Sequence, residues 1–416
     1  MADVSDATTE VTGPTLREFE AALPVVRQVA RITPLESSRY LADLVGVPVH
    51  LKCENLQRTG SYKIRGAYNR ISSLSPEERE RGVVAASAGN HAQGVALAAR
   101  ELGIRATIFM PIGVALPKLE ATRDYGADVV LSGASIGETL EAAAAFAERT
   151  GAVVIPPFDH HDVIAGQGTL GLEILEQLPE VETVVVAIGG GGLASGVASA
   201  IRQRSAQLGR RVRIVGVQAA NAAPYPASLE AGAPLAVPVV PTIADGIAVY
   251  RPGEITFGIV KDTVDEVVTV TEDDVARAII VLLERAKLVV EPAGAVSVAA
   301  ILSGAVRPTG QTVAILSGGN IDPLLMQRVI SHGLSASDRY LTISIMLTDR
   351  PGELARTSKI VADANANVVE VLHTRHGAGR QINDVELQLS IETRGPEHKQ
   401  RVVDALRADG YDPRIV

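Results

Sequence analysis

Apolar residues follow two rhythms along the chain. After a polar first dozen residues, Leu16, Phe19, Leu23, Val26 and Val29 recur three and four apart, which predicts an amphipathic helix. From position 83 onward short unbroken apolar runs take over, at 83–86, 106–110, 129–131, 153–155, 184–188, 214–217 and 313–316. Between them the helical rhythm returns, as in Ile136, Leu140, Ala144 and Ala147, and again in Ile279, Leu282, Leu283 and Ala286. A strand that is apolar throughout is covered on both faces, and helices between such strands return the chain to the same direction. The first 330 residues therefore predict an α/β fold on parallel sheet. So many repeating units predict two sheets, hence two lobes with a cleft between them.

The rhythm changes after Ser331-His332-Gly333-Leu334-Ser335-Ala336-Ser337, and 331–340 is read as a linker. Beyond it the pattern predicts strands at 341–347, 368–374, 383–391 and 411–416, with helices at 352–366 and 396–409. The order βαββαβ is the ferredoxin-like split unit. Residues 341–416 form a module of about 75 residues, too small to carry an enzyme by itself.

Composition narrows the function classes. The chain has 416 residues, 46 % of them hydrophobic and 21 % charged, which excludes a disordered chain. Aromatic residues make up 3 % and there is no Trp, so base stacking on aromatic platforms is disfavoured. Lys and Arg number 39 against 48 Asp and Glu, a net charge of −9, so no broad basic face exists for a nucleic-acid partner. The single cysteine, Cys53, makes no internal disulfide and reads as a small buried residue. The histidines, including the adjacent His160 and His161, which read as surface residues, show no zinc-ligand spacing, so no metal is expected. The first residues lack a basic-then-apolar leader and position 2 is Ala, which predicts a cytoplasmic protein. The uncharged stretch 183–201 is long enough for a membrane span, but its four consecutive glycines read as a strand, a turn and a helix start. No membrane association is expected.

Four motifs carry chemistry, three of them turns at strand ends. Ser61-Tyr62-Lys63-Ile64-Arg65-Gly66 places a lysine at a predicted helix start, where burial lowers the pKa of an amine toward that of a nucleophile or base. Gly189-Gly190-Gly191-Gly192-Leu193 follows a strand and opens a helix. Residues without side chains let backbone N–H groups converge on an anion, and the helix dipole adds to the attraction. The loop lacks both the P-loop ending and the dinucleotide spacing, which favours a single phosphate over a nucleotide. Ser87-Ala88-Gly89-Asn90-His91-Ala92-Gln93-Gly94 also follows a strand and opens a helix, and suits a carboxylate or a polar ring substituent. Ser317-Gly318-Gly319-Asn320 follows the last strand of the α/β region. Turns on the C-terminal ends of parallel strands converge on one cleft.

Taken together, these four motifs resemble those of the pyridoxal-phosphate enzymes of the tryptophan-synthase-β-like type, and specifically the threonine (serine) dehydratases, or threonine ammonia-lyases. The resemblance covers nearly the whole chain. It implies a two-lobed catalytic region over 1–330, with a smaller lobe at about 55–158 inserted in the larger. It makes pyridoxal 5′-phosphate the cofactor, Lys63 the Schiff-base lysine, and Gly189, Gly190, Gly191, Gly192 and Leu193 the phosphate cradle. Asn90 then partners the ring hydroxyl and Ser317 the pyridine nitrogen. Ser87, Gly89, Asn90 and His91 lie on the segment that holds the substrate carboxylate, and Tyr62, Glu291 and Gly318 are further candidates. A helix-start carboxylate is the competing reading of Glu291. A serine at the pyridine nitrogen makes the ring a weaker electron sink, which favours β-elimination. The activity implied is loss of water and ammonia from threonine to give 2-oxobutyrate, with serine giving pyruvate. The alternatives are a serine or 3-hydroxyaspartate dehydratase, or an inactive cofactor-binding amino-acid sensor.

Departures from relatives separate neighbours within the resemblance. Ala88 stands where serine racemases carry a serine acting on the second face of Cα, so a dehydratase is expected rather than a racemase. Gln218 replaces a metal-binding Glu, and Ala222 and Pro224 add no carboxylate. Tyr62 replaces the commoner Phe. Leu347-Thr348-Asp349-Arg350-Pro351-Gly352-Glu353-Leu354 resembles the strand-to-helix turn of ACT domains, with Gly352 and Asn367 as candidate effector residues. That resemblance implies an amino-acid effector, isoleucine or valine, and a homodimer or homotetramer joined through paired modules. The competing reading is a pairing module without a ligand.

Overall fold

The computed structural model describes residues 13–375 and 384–416. They form two compact units, one ending at Pro323 and one running from Leu324 to Val416. The first helix, Leu16–Val26, starts where expected because Thr15 and Glu18 cap each other: the Thr15 hydroxyl accepts from the Glu18 N–H, and the Glu18 carboxylate accepts from the Thr15 N–H at 2.8 Å. Phe19 and Val26 are its most buried residues.

The first unit holds two parallel sheets. The larger runs Leu35–Ser37, Val49–Cys53, Thr312–Leu316, Thr183–Ala187, Arg213–Ala219, Glu266–Val270, with only its first pair antiparallel. The smaller runs Asp128–Leu131, Ala106–Met110, Val83–Ala86, Val153–Val154, all parallel. Every predicted apolar run is a strand. Burial on both faces fails at the two edges of the smaller sheet, Asp128–Leu131 and Val153–Val154, where Val130, Leu131 and Val154 are exposed. Leu35–Ser37, Val49–Cys53 and Glu266–Val270 were not legible as strands. The first is too short to show a pattern, the second carries His50 and Lys52 among its apolar residues, and the third is an exposed edge. The helical rhythm through Ile279 also breaks: the α-helix Glu272–Val281 gives way to a π turn, Leu282–Ala286, ended by Lys287 at φ +60°.

Glycines let the central helices touch backbone to backbone. A Cβ on Gly166 would stand 2.6 Å from the Arg65 carbonyl oxygen, and one on Gly94 would stand 3.1 Å from the Lys63 carbonyl carbon. The helices Asn90–Glu101 and His161–Gln177 thereby clasp the helix Lys63–Ser72 that begins with the motif lysine. A buried ion cluster fixes the same helix. Arg65 reaches Glu54 at 2.8 Å and Glu173 at 3.0 Å, and Lys52 reaches Glu173 at 2.5 Å, all four side chains being no more than 2 % exposed.

In the second unit the stretch expected to be a linker is helical as far as Ala336, within Pro323–Ala336. A helix does not need a strong apolar stripe here, since only Val329 and Gly333 of it are buried. The strands Tyr340–Thr348, Asn367–Thr374, Asp384–Glu392 and Arg414–Ile415 form an antiparallel sheet, with the second at one edge, then the third, the first and the fourth. The helices Glu353–Asp363 and Pro396–Ala408 complete the ferredoxin-like βαββαβ unit. Leu341, Ile343, Ile345, Leu387, Leu389 and Leu406 form its core.

Candidate active site

The C-terminal ends of three parallel strands meet at one cavity of about 350 Å³. The strand Val83–Ala86 delivers Ser87, Gly89, Asn90 and His91 to it. Thr183–Ala187 delivers Gly189 to Leu193, and Thr312–Leu316 delivers Ser317. Tyr62, Lys63 and Glu291 line the same space. Gly318 is not among the lining residues. Its carbonyl accepts from the Glu291 N–H at 3.0 Å, and a Cβ on it would meet the Glu291 carboxylate at 2.1 Å, so it backs the wall.

Lys63 is the first residue of its helix, and its Nζ donates to the Pro157 carbonyl at 2.8 Å. Burial pulls its pKa down to about 8, against the opposing charge of Glu291. Tyr62 lies beneath the ammonium, 5.2 Å from ring centroid to Nζ, and its own hydroxyl is pushed above its ordinary pKa by burial.

The glycine turn has no room for side chains. A Cβ on Gly190 would sit 2.4 Å from the Phe158 ring, and one on Gly192 would sit 2.8 Å from the Phe158 Cβ. Gly191 adopts φ +101°, which only glycine takes without strain, and caps the helix Gly192–Gln207. Two hydroxyls converge behind the turn on one carbonyl: Thr256 donates to the Gly190 oxygen at 2.6 Å and Tyr225 donates to it at 3.3 Å. A peptide plane carries its C=O and N–H in opposite directions, so anchoring the Gly190 oxygen aims the Gly191 N–H the other way. Asp159 locks this backing by accepting from the N–H groups of Glu254, Ile255 and Thr256.

Amides chain the other side together. Asn320 donates to Asn90 at 2.7 Å, and Asn90 donates to Glu291 at 2.6 Å. Glu291 is the residue before the helix Pro292–Leu302, but its side chain makes no capping bond there and turns to Asn90 instead. Burial pushes its pKa up to about 7, with the Asn90 bond offsetting part of the rise. The His91 Nε2–H donates to the Ile155 carbonyl at 2.8 Å, and burial, helped by Lys63, brings its pKa down to about 3. The ring is therefore neutral and occupied, leaving only its backbone N–H to a carboxylate. The Ser317 hydroxyl donates to the Ala293 carbonyl at 3.4 Å.

Sequence reasoning missed Lys118, Ile136, Pro157, Phe158 and the segment from Asp245 to Val249, all of which line the cavity. Asp245 to Val249 lies in irregular chain without periodicity, and Lys118 on a helix with little sidedness, so neither left a signal. Gln218 is fully buried and serves the fold, accepting from the Tyr225 N–H at 2.9 Å and donating to the Ile188 carbonyl at 3.3 Å. Cys53 is buried and free, its thiol pushed up to about 12 by desolvation. His160 caps the helix His161–Gln177 by accepting from the Asp162 N–H. Among the described residues no helix is long and apolar enough to cross a membrane, and no group of three metal-ligating side chains is found.

A partly neutral buried lysine, a glycine turn at a helix N-terminus and an amide set for a ring substituent fit pyridoxal phosphate at its carbonyl carbon, phosphate and hydroxyl. They define a pyridoxal-phosphate-dependent enzyme. The chain belongs to that family, whose model, the pyridoxal-phosphate dependent enzymes, matches residues 26–318. It is 49 % identical to the L-threonine ammonia-lyase of Thermotoga maritima over 97 % of this chain and 99 % of that one. It is 46 % identical to the catabolic L-threonine dehydratase TdcB of Escherichia coli K12, over 70 % of this chain and 88 % of that one. The solved structure of maize serine racemase superposes with a TM-score of 0.73 at 35 % identity, covering 78 % of this chain and 99 % of that one.

Proposed function

We propose that the chain is an L-threonine ammonia-lyase, converting L-threonine to 2-oxobutyrate and ammonia and accepting L-serine as a second substrate. The observation that carries the reading is the full-length likeness to a threonine ammonia-lyase, at 49 % identity. The bound cofactor supplies an electron sink that acidifies the Cα proton of the amino acid joined to it.

The protein's own groups do the rest. The Lys63 amine is the group that would hold the cofactor's carbonyl carbon, and its Nζ is the base that would take the Cα proton. A pKa of about 8 keeps part of it unprotonated near neutrality. The N–H groups of Gly189 to Leu193 hold the phosphate, with Gly190 anchored from behind by Thr256 and Tyr225. Asn90, held between Asn320 and Glu291, orients the ring hydroxyl. Turned from the Ala293 carbonyl, the Ser317 hydroxyl would donate to the ring nitrogen, and it would not keep a proton there as a carboxylate would. This favours loss of the β-hydroxyl over return of the proton. Ser87, Gly89 and the N–H groups of Asn90 and His91 receive the substrate carboxylate at the helix N-terminus. Ala88 offers only a methyl group, so the far face of Cα has no proton donor there. This separates the reading from racemisation. The enamine left after water departs is released, tautomerises and is hydrolysed, so water lost is water regained and ammonia is the net by-product.

The C-terminal unit is read as an ACT module with Gly352 and Asn367 at an isoleucine or valine site. Gly352 opens the helix Glu353–Asp363 at φ +97°, where free N–H groups suit a carboxylate. Asn367 starts the edge strand Asn367–Thr374, whose Val369 and Leu372 are exposed, and an edge of this kind supports pairing of two copies in a homodimer or homotetramer. Product analysis tests the catalytic reading. Purified, cofactor-loaded protein is expected to give 2-oxobutyrate from L-threonine faster than pyruvate from L-serine, and no D-serine. Racemisation as the main activity contradicts it.

A further inference from the structure

Apart from Tyr62, the ionisable side chains lining the cavity among the described residues are Lys63, His91, Lys118, Asp245 and Glu291. Three of them are committed within the site. Lys63 serves the cofactor and the Cα proton in the reading above, His91 is bonded to the Ile155 carbonyl, and Glu291 is bonded to Asn90. That leaves Lys118 as the cation able to meet a charged group on an incoming side chain. It does not stand free: its Nζ lies 3.2 Å from the Asp245 carboxylate.

The two partners come from separate elements that both line the cavity. Lys118 sits on the helix Leu116–Asp124, which packs beside the smaller sheet, and Asp245 sits on the short turn Asp245–Ile247 of the larger part. The Lys118 side chain is 22 % exposed and that of Asp245 60 %, so the lysine is the enclosed partner and the carboxylate covers it from the solvent side. Both charges act on Glu291, Asp245 raising its pKa and Lys118 lowering it, so the pair lies within electrostatic reach of the centre of the site.

We infer that Asp245 is a specificity-determining residue: by neutralising Lys118 it restricts the cavity to amino acids with uncharged side chains. The inference rests on the proposed dehydratase reading. A cation facing a cavity otherwise without free charge is a receptor for a carboxylate, and a carboxylate already beside it cancels that attraction and repels a second one. Threonine and serine present only a hydroxyl and a methyl or hydrogen. L-threo-3-hydroxyaspartate keeps the β-hydroxyl that leaves and replaces the methyl by a carboxylate. Its loss of water, followed by tautomerisation and hydrolysis, gives oxaloacetate and ammonia with the same atom balance as threonine.

The experiment compares kcat/KM for L-threo-3-hydroxyaspartate and L-threonine in wild type, Asp245→Asn, Lys118→Met and the double variant, with the cofactor absorption spectrum recorded for each. Asp245→Asn is expected to raise the hydroxyaspartate-to-threonine ratio at least tenfold, chiefly through a lower KM for hydroxyaspartate. The double variant is expected to return the ratio to the wild-type level, because the freed lysine is what binds the carboxylate. A ratio within about twofold of wild type in Asp245→Asn overturns the inference, as does an elevated ratio that survives loss of Lys118. Wild type that fails to turn over threonine overturns the dehydratase reading, and the inference with it. Wild type active on threonine with an unmoved ratio overturns the inference alone.

Discussion

Lys63 shows most clearly how position makes chemistry out of an ordinary residue. A solvated lysine holds its proton through the physiological range, but this one is enclosed by Tyr62, Pro157 and the cavity wall, and burial brings it down to about 8. Only the unprotonated amine attacks a carbonyl. The rate at which apoprotein binds pyridoxal phosphate covalently should therefore rise with pH, with a midpoint near 8 and little further gain two units above. A stopped-flow series at constant ionic strength reads this directly, and a midpoint near that of a free lysine contradicts it. The motif around Lys63 was legible in the sequence, as was the glycine turn, because both depend on local residue types. Lys118 and Asp245 were not, since a pair separated by more than a hundred positions leaves no spacing to read. Nor was the exchange by which Glu291 gives up a helix-capping role to bond Asn90.

Elements hold these residues through a few buried devices. The helix Lys63–Ser72 is clasped by glycine-lined neighbours and fastened by Arg65, which meets carboxylates from the chain after Val49–Cys53 and from the helix His161–Gln177. Removing one member of such a cluster leaves charges buried without partners. Arg65→Ala should cost about 3 to 5 kcal/mol of stability, because Glu54 and Glu173 would face each other with only Lys52 between them. Urea unfolding measures the loss, and a variant within about 1 kcal/mol of wild type contradicts the account. The parallel strands were legible from their unbroken apolar runs, whereas Val49–Cys53 was not. Its Lys52 belongs to this ion cluster, so a charged residue lies fully buried where a sequence pattern reads it as surface. The expected linker failed for a different reason: a polar stretch can be helical when few of its residues need burial.

At the scale of the molecule, the cavity and the C-terminal module belong to separate compact units, and every residue lining the cavity precedes Pro323. A chain ended after Ser337 should keep threonine turnover while losing any response to isoleucine or valine. A 416-residue chain whose activity and melting temperature both ignore saturating isoleucine and valine contradicts the regulatory reading of the module. The βαββαβ order was legible because each element has a simple period, whereas an effector depends on loop geometry that periodicity does not encode. One cavity joins Lys63, the glycine turn and the N-terminus of the helix Asn90–Glu101. The most direct test of the dehydratase reading is 2-oxobutyrate formation from L-threonine by wild type and Lys63→Ala, followed together with the visible absorption of the lysine-linked cofactor. Wild type is expected to show turnover and the absorption band, and Lys63→Ala to lose both. Wild type that shows the band but turns over neither threonine nor serine would contradict it.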